Sequence, residues 1–256
     1  MATYTRQTLA DRPDTREDFR RLNIAGWPAF LTQGDEDGLD DVWSTVYSTW
    51  AEFQFVLLDQ EKHVVAAGQT VPFVWNGTVE DLPETIAGLL RRARDEAAAG
   101  RKPNTLCALA ALVDPARRAR GLSTEILKSM RTLGAGHGLA EFVAPVRPTL
   151  KASYPLTPME RFIRWRRSDG TLLDPWLRVH ERLGAKILGI APRTLVNVGT
   201  VAQWEEWTGL AFPESGEYVV LGAMQPVRID RDKDEGRYAD PNVWMRHPPL
   251  GPEDVG

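Results

Sequence analysis

The chain is poor in the residues that build disulfides and metal centres. Its 256 residues include one cysteine, Cys107, and four histidines. A single thiol excludes an intramolecular disulfide, and the scattered histidines have no ligand spacing for a structural zinc, so no metal is expected. Cys107 lies in an apolar run and reads as a small buried hydrophobe rather than a nucleophile. An excess of positive charge is also missing. Thirty-one Lys and Arg stand against 35 Asp and Glu, a net charge of -4, which argues against a general nucleic-acid binder with its concentrated basic field. No run approaches the roughly 20 apolar residues that cross a bilayer, and the first 18 residues lack the apolar core of a secretory signal. A cytoplasmic protein without nucleic-acid or membrane partners is the expectation. The chain contains no internal repeat, and the longest low-complexity patch is Ala97–Gly100.

The sequence does have an ordinary globular balance, 43% apolar and 26% charged, in a length that fits one domain with a real core. Helical periodicity runs from Asp14 to about Leu31, with Phe19, Leu22, Ile24 and Trp27 near one face. The acidic stretch Gly34–Asp41 reads as a solvated loop or helix entry. Phe53–Leu58 and His63–Val74 read as strands joined by a turn at Asp59–Lys62, and Pro72 marks an edge or bulge. Pro83–Ala99 reads as a helix stopped by Gly100. Thr105–Val113 is apolar on both faces, as in a strand covered on two sides. A helix from about Leu122 to Leu133 follows, then a strand at Glu141–Val146. Lys151–Gly170 reads as an insertion whose helix opens with a capping box at Thr157–Glu160. Asp174-Pro175 caps a helix through Leu183, stopped by Gly184. Two strands are expected near Thr194–Val198 and Tyr218–Val227, with a Trp-rich helical turn at Gln203–Thr208 between them. The charged, Gly- and Pro-rich residues from Asp230 on read as a loosening tail, in which Trp244-Met245-Arg246 would pack on a partner subunit. Alternating strands and helices with an early hairpin predict an α/β fold with a mixed sheet.

Chemistry concentrates where the Thr105–Val113 strand ends. The chain turns at Asp114-Pro115, passes Arg117, Arg118 and Arg120, and enters a helix at Gly121. First-turn amides lack internal partners and sit at the positive end of the helix dipole, which makes an anion site. Gly121 lets backbone approach a phosphate, and arginine adds permanent charge with bidentate geometry.

Arg118-x-x-Gly121-x-Ser123 resembles the pyrophosphate motif of the GNAT acetyltransferase superfamily, in which Gln or Arg precedes x-x-Gly-x-Gly or Ala; Ser123 is a mild departure at the last position. His180-Glu-Arg-Leu-Gly184 resembles the same superfamily's late Tyr-x-x-Leu-Gly-Phe helix end. The order of elements from about Phe53 to Val227 is similar too. The resemblance implies a mixed, mostly antiparallel sheet flanked by helices, with two central strands splayed around an acyl-pantetheine arm. It implies that backbone groups of Leu112 and Val113 hold that arm and that the segment from Arg118 through Leu122, Ser123 and Thr124 holds the pyrophosphate. The cofactor expected is acetyl-CoA or another acyl-CoA, as co-substrate.

The family's tyrosine acid is replaced by His180, an imidazole near pKa 6.5 that suits acid catalysis at neutral pH. No carboxylate lies in Thr105–Val113, so deprotonation of an amine needs a water relay or a residue from elsewhere, with Glu52, Glu141 and Glu160 as candidates. The insertion 151–170 carries Lys151, Arg161, Arg164, Arg166 and Arg167 interleaved with Tyr154, Phe162 and Trp165. It reads as a basic surface helix, or as a lid for an anionic or aromatic acceptor in which Tyr154, Arg164 and Arg167 bind substrate, or as a dock for an acidic carrier protein. The expectation is a single domain over 1–230 with a C-terminal extension over 231–256, transferring an acyl group from CoA to an amine of a small molecule in a ternary complex. Acyl-CoA decarboxylation and non-catalytic CoA binding are the alternatives. A homodimer is compatible with the sequence.

Overall fold

The computed structural model describes residues 4–33, 35–117 and 121–254. A nine-stranded sheet runs β1 (Thr5–Thr8), β2 (Phe55–Leu58), β3 (Val64–Phe73), β4 (Thr105–Val113), β5 (Glu141–Val146), β9 (Glu235–Arg246), β8 (Val227–Asp230), β7 (Gly216–Tyr218), with β6 (Lys186–Gly199) also paired to β9. Every strand pair is antiparallel except β4–β5. The expected mixed, mostly antiparallel sheet is therefore the one observed.

Helices cover the sheet, and three of the seven described begin at a side-chain cap. In α3 (Ile86–Ala98) the Thr85 hydroxyl accepts from the Gly88 amide, and in α6 (Pro175–Arg182) the Asp174 carboxylate accepts from Trp176 and Leu177, with Pro175 at the first position. Such caps contribute about 1 kcal/mol each. The other helices are α1 (Arg16–Gly26), α2 (Leu39–Ser48), α4 (Leu122–Gly136), α5 (Met159–Phe162) and α7 (Val201–Thr208). The Thr157 capping box does not form: Pro158 occupies the N-cap of α5, and no side chain caps that helix. A capping box does form at Thr200–Gln203, ahead of α7. Pro72 is tolerated because β2 pairs with β3 only as far as Gly68, so no neighbour on that side needs its missing N–H.

The largest apolar cluster packs α2, α3 and α4 on β2–β5, with Leu89, Leu106, Ile126, Leu127, Met130 and Phe142 fully buried. Full burial of side chains of this kind contributes about 1.5–3 kcal/mol each. A second cluster, built on Phe30, Trp204, Phe212 and Tyr238, joins the α1–α2 connection to the β6–β9 elaboration.

The tail expected from Asp230 is instead the middle of the sheet. Residues 243–246 of β9 pair with β5, and the strand pairs with β6 along its length. Trp244 and Met245 are buried beside Pro145 and Ala144, so they pack inside this chain rather than on a partner subunit. Asp240, Pro241 and Arg246 masked the strand from composition, yet Asp240 and Arg246 are both ion-paired, to Arg147 and Glu141. Helix α2 was hidden for a similar reason, because its first turn carries Asp40 and Asp41.

A Cβ added at Gly236 would stand 2.1 Å from Trp204, whereas nothing lies within 4 Å at Gly136. Gly236→Ala is expected to lower unfolding free energy by about 1–3 kcal/mol in urea titration. Gly136→Ala should change it by no more than about 0.5 kcal/mol. Equal effects of the two would contradict the packing of β9 against α7.

Candidate active site

The two parallel strands pair for three residues only, from Thr105–Glu141 to Cys107–Val143. Beyond that point Ala108–Val113 and Ala144–Val146 part, and both line a cavity of about 1230 Å³. Polar backbone must find partners when water is excluded, so the inner edge of β4 is a row of groups that an extended ligand can satisfy. A bulge sharpens the opening: Gln69 pairs with Ala110 and Thr70 with Ala108, leaving Leu109 without a partner on β3. Bulges of this kind bend a strand and re-aim its groups.

At one end of the cavity lie Gly121, Leu122 and Ser123. Gly121 is the N-cap of α4 at φ 76°, and among the described residues no side chain caps the helix. A Cβ there would meet open space. The dipole, the bare backbone and the Leu122 and Ser123 amides form an arrangement that can hold an anion. Leu112 and Val113 line the cavity, while Thr124 sits in the first turn without lining it. Arg117 ends a short 3-10 turn and faces Asp59 at 3.6 Å, away from the cavity. Arg118 and Arg120 lie outside the described residues.

His180, on α6, also lines the cavity. Its Nδ1 is 2.9 Å from Nε2 of His247, a residue just beyond β9 whose ring stacks on Phe142. His180 Nε2 is buried without a partner. Burial, and then the neighbouring His247, hold the His180 pKa well below the ordinary value, while burial followed by the charge of Arg131 lowers His247 to about 3. The expectation of an imidazole titrating near 6.5 is therefore corrected: both rings are neutral at pH 7. His247 was missed because it stands between Arg246 and Pro248 in what read as a tail.

The other end of the cavity is polar, and here sequence reasoning found least. Strand β6 places Pro192, Arg193 and Thr194 opposite the single residue Pro241 of β9. The bulge turns Thr194 inward: its hydroxyl donates to the Asp240 carbonyl at 3.0 Å, and Asn242 Nδ2 donates to Thr194 Oγ1 at 2.5 Å. Asp240 accepts Arg147 Nε at 3.0 and 3.1 Å and the Tyr238 hydroxyl at 2.6 Å. Across from this cluster, Asp35 accepts the amides of Val196 and Leu39. Burial raises the Asp35 pKa, opposed by those amides and reinforced by Asp37 and Asp40. Asp35, Asp40, Arg147, Asp240 and Asn242 all line the cavity. An acidic stretch that read as solvated loop thus supplies part of its wall.

The expected lid does not cover this end. Tyr154, Arg164 and Arg167 do not line the cavity. Tyr154 packs edge-on against Trp165, Arg167 faces Asp169 at 3.4 Å, and Arg164 is exposed. The insertion is tied down by its aromatics, and its Lys151 amine is buried on the carbonyls of Tyr154 and Met224. Among the base candidates, Glu141 is engaged by Arg246 at 2.6 Å, and Glu52 and Glu160 are exposed, none of them on the cavity.

No protein-family model matches the chain. A curated protein, arginine N-acetyltransferase avaD of Aspergillus versicolor, is 33% identical over 276 aligned residues, which cover 96% of this chain and 94% of that one. Among solved structures, the loading GNATL domain of CurA from Lyngbya majuscula superposes with a TM-score of 0.59 at 18% identity, covering 96% of this chain and 98% of that one. The GphF GNAT-like decarboxylase in complex with isobutyryl-CoA superposes at 0.56 and 18%, with the same coverage. These two likenesses concern the fold.

Because His247 is neutral when folded and titrates near 6.5 when unfolded, the unfolded chain binds more protons between about pH 3 and 6.5. Stability is therefore present above that window and falls as pH drops through it. His247→Phe should flatten this slope in urea titrations run from pH 7 to 4. An unchanged slope would mean that the pair is not held neutral.

Proposed function

From the membership of this chain in the GNAT superfamily, to which it belongs as an acyl-CoA-dependent N-acetyltransferase, we propose that its acceptor is a cationic small-molecule amine of the arginine type. The observation that carries this reading is the charge at the polar end of the cavity. Asp35 and Asp40 line it, and neither meets a side-chain cation among the described residues. Burial is the main cause of the raised Asp35 pKa, and the charges of Asp37 and then Asp40 add to it. A guanidinium or ammonium bound between them would relieve that repulsion and gain charge-assisted hydrogen bonds. The relative from Aspergillus versicolor is named for arginine, which agrees in chemistry.

Acyl-CoA is the co-substrate, and the residues present fit it: the Gly121 cradle suits the pyrophosphate, and the parted edge of β4 at Leu112 and Val113 suits the amides of the pantetheine arm. In the reaction the deprotonated amine adds to the thioester carbon, a C–N bond forms, the C–S bond breaks, and the sulfur leaves as a thiolate. We assign His247 Nε2–H as the hydrogen-bond donor to His180 Nδ1, the tautomer that leaves the His180 proton on Nε2. His180 then acts as a neutral hydrogen-bond donor to the departing sulfur rather than as an imidazolium acid. The amine proton passes to water, since β4 carries no carboxylate.

Release of free thiol from acetyl-CoA should depend on added arginine and yield acetylated arginine by mass spectrometry. Malonyl-CoA without an amine should release no carbon dioxide; decarboxylation there would replace the transferase reading. Acetyl-CoA at 100 times its Kd should add about 2.7 kcal/mol of stability. Gly121→Asp should abolish that gain, and an undiminished gain would remove the phosphate role of the loop. His180→Ala should lower kcat roughly ten- to hundredfold, the weight of one hydrogen bond to a charged group. The wild-type kcat profile should show no inflection near pH 6.5 that the variant loses.

A further inference from the structure

Arg147 follows the last residue of β5, at the point where that strand has left β4. Its guanidinium is fixed on two sides. Nε lies on both carboxylate oxygens of Asp240, and Nη2 donates to the Gly222 carbonyl at 2.8 Å. Asp240 is itself held by the Tyr238 hydroxyl and by the Thr194 hydroxyl on its carbonyl. Among the described residues Nη1 makes no hydrogen bond, and the Tyr238 hydroxyl is the further polar group beside the guanidinium. Arg147 lines the cavity beside Thr149 and Asp240. The open Nη1 edge of a planar, pre-oriented guanidinium is a directional site for a carboxylate.

Its place in the fold selects what that carboxylate belongs to. Asp240 pairs with Leu195 on β6, and the next residue, Val196, donates its amide to Asp35. The anion-holding edge and the unpaired carboxylate therefore stand at neighbouring strand positions of one cavity end. Arg16 also lines the cavity, but it is an exposed side chain lying over the Tyr47 ring, with no second tether to orient it.

We propose that Arg147 is the carboxylate anchor of the acceptor site, so that the enzyme selects amino acids over the amines left when they are decarboxylated. This inference rests on the cationic-amine reading and adds the second charge of the acceptor.

The test compares initial rates with saturating acetyl-CoA for three pairs: arginine and agmatine, lysine and cadaverine, tryptophan and tryptamine. In each pair that is turned over, the amino acid should have a kcat/KM at least tenfold higher. Arg147→Gln should bring the ratio near one by raising the KM of the amino acid, with the acetyl-CoA KM unmoved. Removing Arg147 leaves Asp240 buried without its partner and can unfold the protein. The double variant Arg147→Gln with Asp240→Asn removes both charges together, and Arg147→Lys should recover part of the preference. A wild-type ratio of one, a ratio favouring the decarboxylated amine, or a preference that survives the double variant would overturn the inference alone. No turnover of any of the six amines would sink the amine-acceptor reading, and this inference with it.

Discussion

The site depends on two parallel strands that stop pairing. Up to Cys107 and Val143 the edges of β4 and β5 satisfy each other; one residue later they do not. Such a gap in the middle of a sheet leaves donors and acceptors facing an enclosed space, which is unfavourable unless something extended and polar fills it. Everything around the gap serves to keep it open without unfolding the sheet. β4 remains anchored to β3 over its length, with the Leu109 bulge absorbing the bend. β5 passes instead to β9, which brings the C-terminal segment into the centre of the protein. The helix that follows β4 then brings its N-terminal residues Gly121, Leu122 and Ser123 to the cavity wall. The chain order strand, turn, helix thus puts an anion cradle and a backbone-hungry cleft on one line, the shape of a phosphate head with an amide-bearing arm.

The far end is shaped by proline. Pro241 cannot donate to a ladder, and β6 answers it with three residues in place of one. The bulge would be a defect in a sheet built for stability alone. Here it turns Thr194 and Asn242 toward the cavity wall and leaves Asp240 free to hold Arg147. The same region is buttressed from outside. Asn197 Nδ2 bonds the Gln33 carbonyl, Arg237 pairs with Glu36, and Phe30 packs among Trp204 and Tyr238. These contacts fix the α1–α2 connection, so that Asp35 occupies a defined place despite lying in a connecting segment.

How much of this was legible depended on whether a residue worked through its own neighbours or through distant ones. The buried strand Thr105–Val113, the strand Glu141–Val146 and the Asp174-Pro175 cap are local matters of hydrophobic run and capping chemistry, and they appear where periodicity puts them. Gly121 could be recognised because a strand–turn–helix with a bare glycine is itself an anion motif. Asp240 and Arg246 were unreadable because their charge is compensated by partners far along the chain, and Asp35 because the Val196 amide it accepts is 161 residues away. Burial pairs Asp240 with Arg147, 93 residues away, and Arg246 with Glu141, 105 away. Composition counts such residues as surface until the fold supplies the partner. The environment of His180 was hidden for the same reason: the ring it meets at 2.9 Å, His247, is 67 residues distant.

The Arg147–Asp240 pair is better understood as a device of orientation than of stability. Taking both charges out of water cancels much of their attraction, and apolar residues of similar volume often replace such pairs at no loss. Burial works against the Arg147 charge, and Asp240 with Tyr238 more than offsets it, so its pKa is raised and the guanidinium stays ionised. A long arginine side chain on a free surface would lose rotamer freedom each time it gripped a ligand. Tied at Nε and Nη2, Arg147 has already given up that freedom in folding, and a carboxylate meeting Nη1 need not impose it again. The pair is neutral as a whole, so it attracts anions weakly from afar and discriminates by direction at contact. Net negative charge nearby, from Asp35 and Asp40, favours a ligand that is cationic elsewhere. Together these terms favour the proposed acceptor, a zwitterion held at both charges with its amine toward the parted edge of β4.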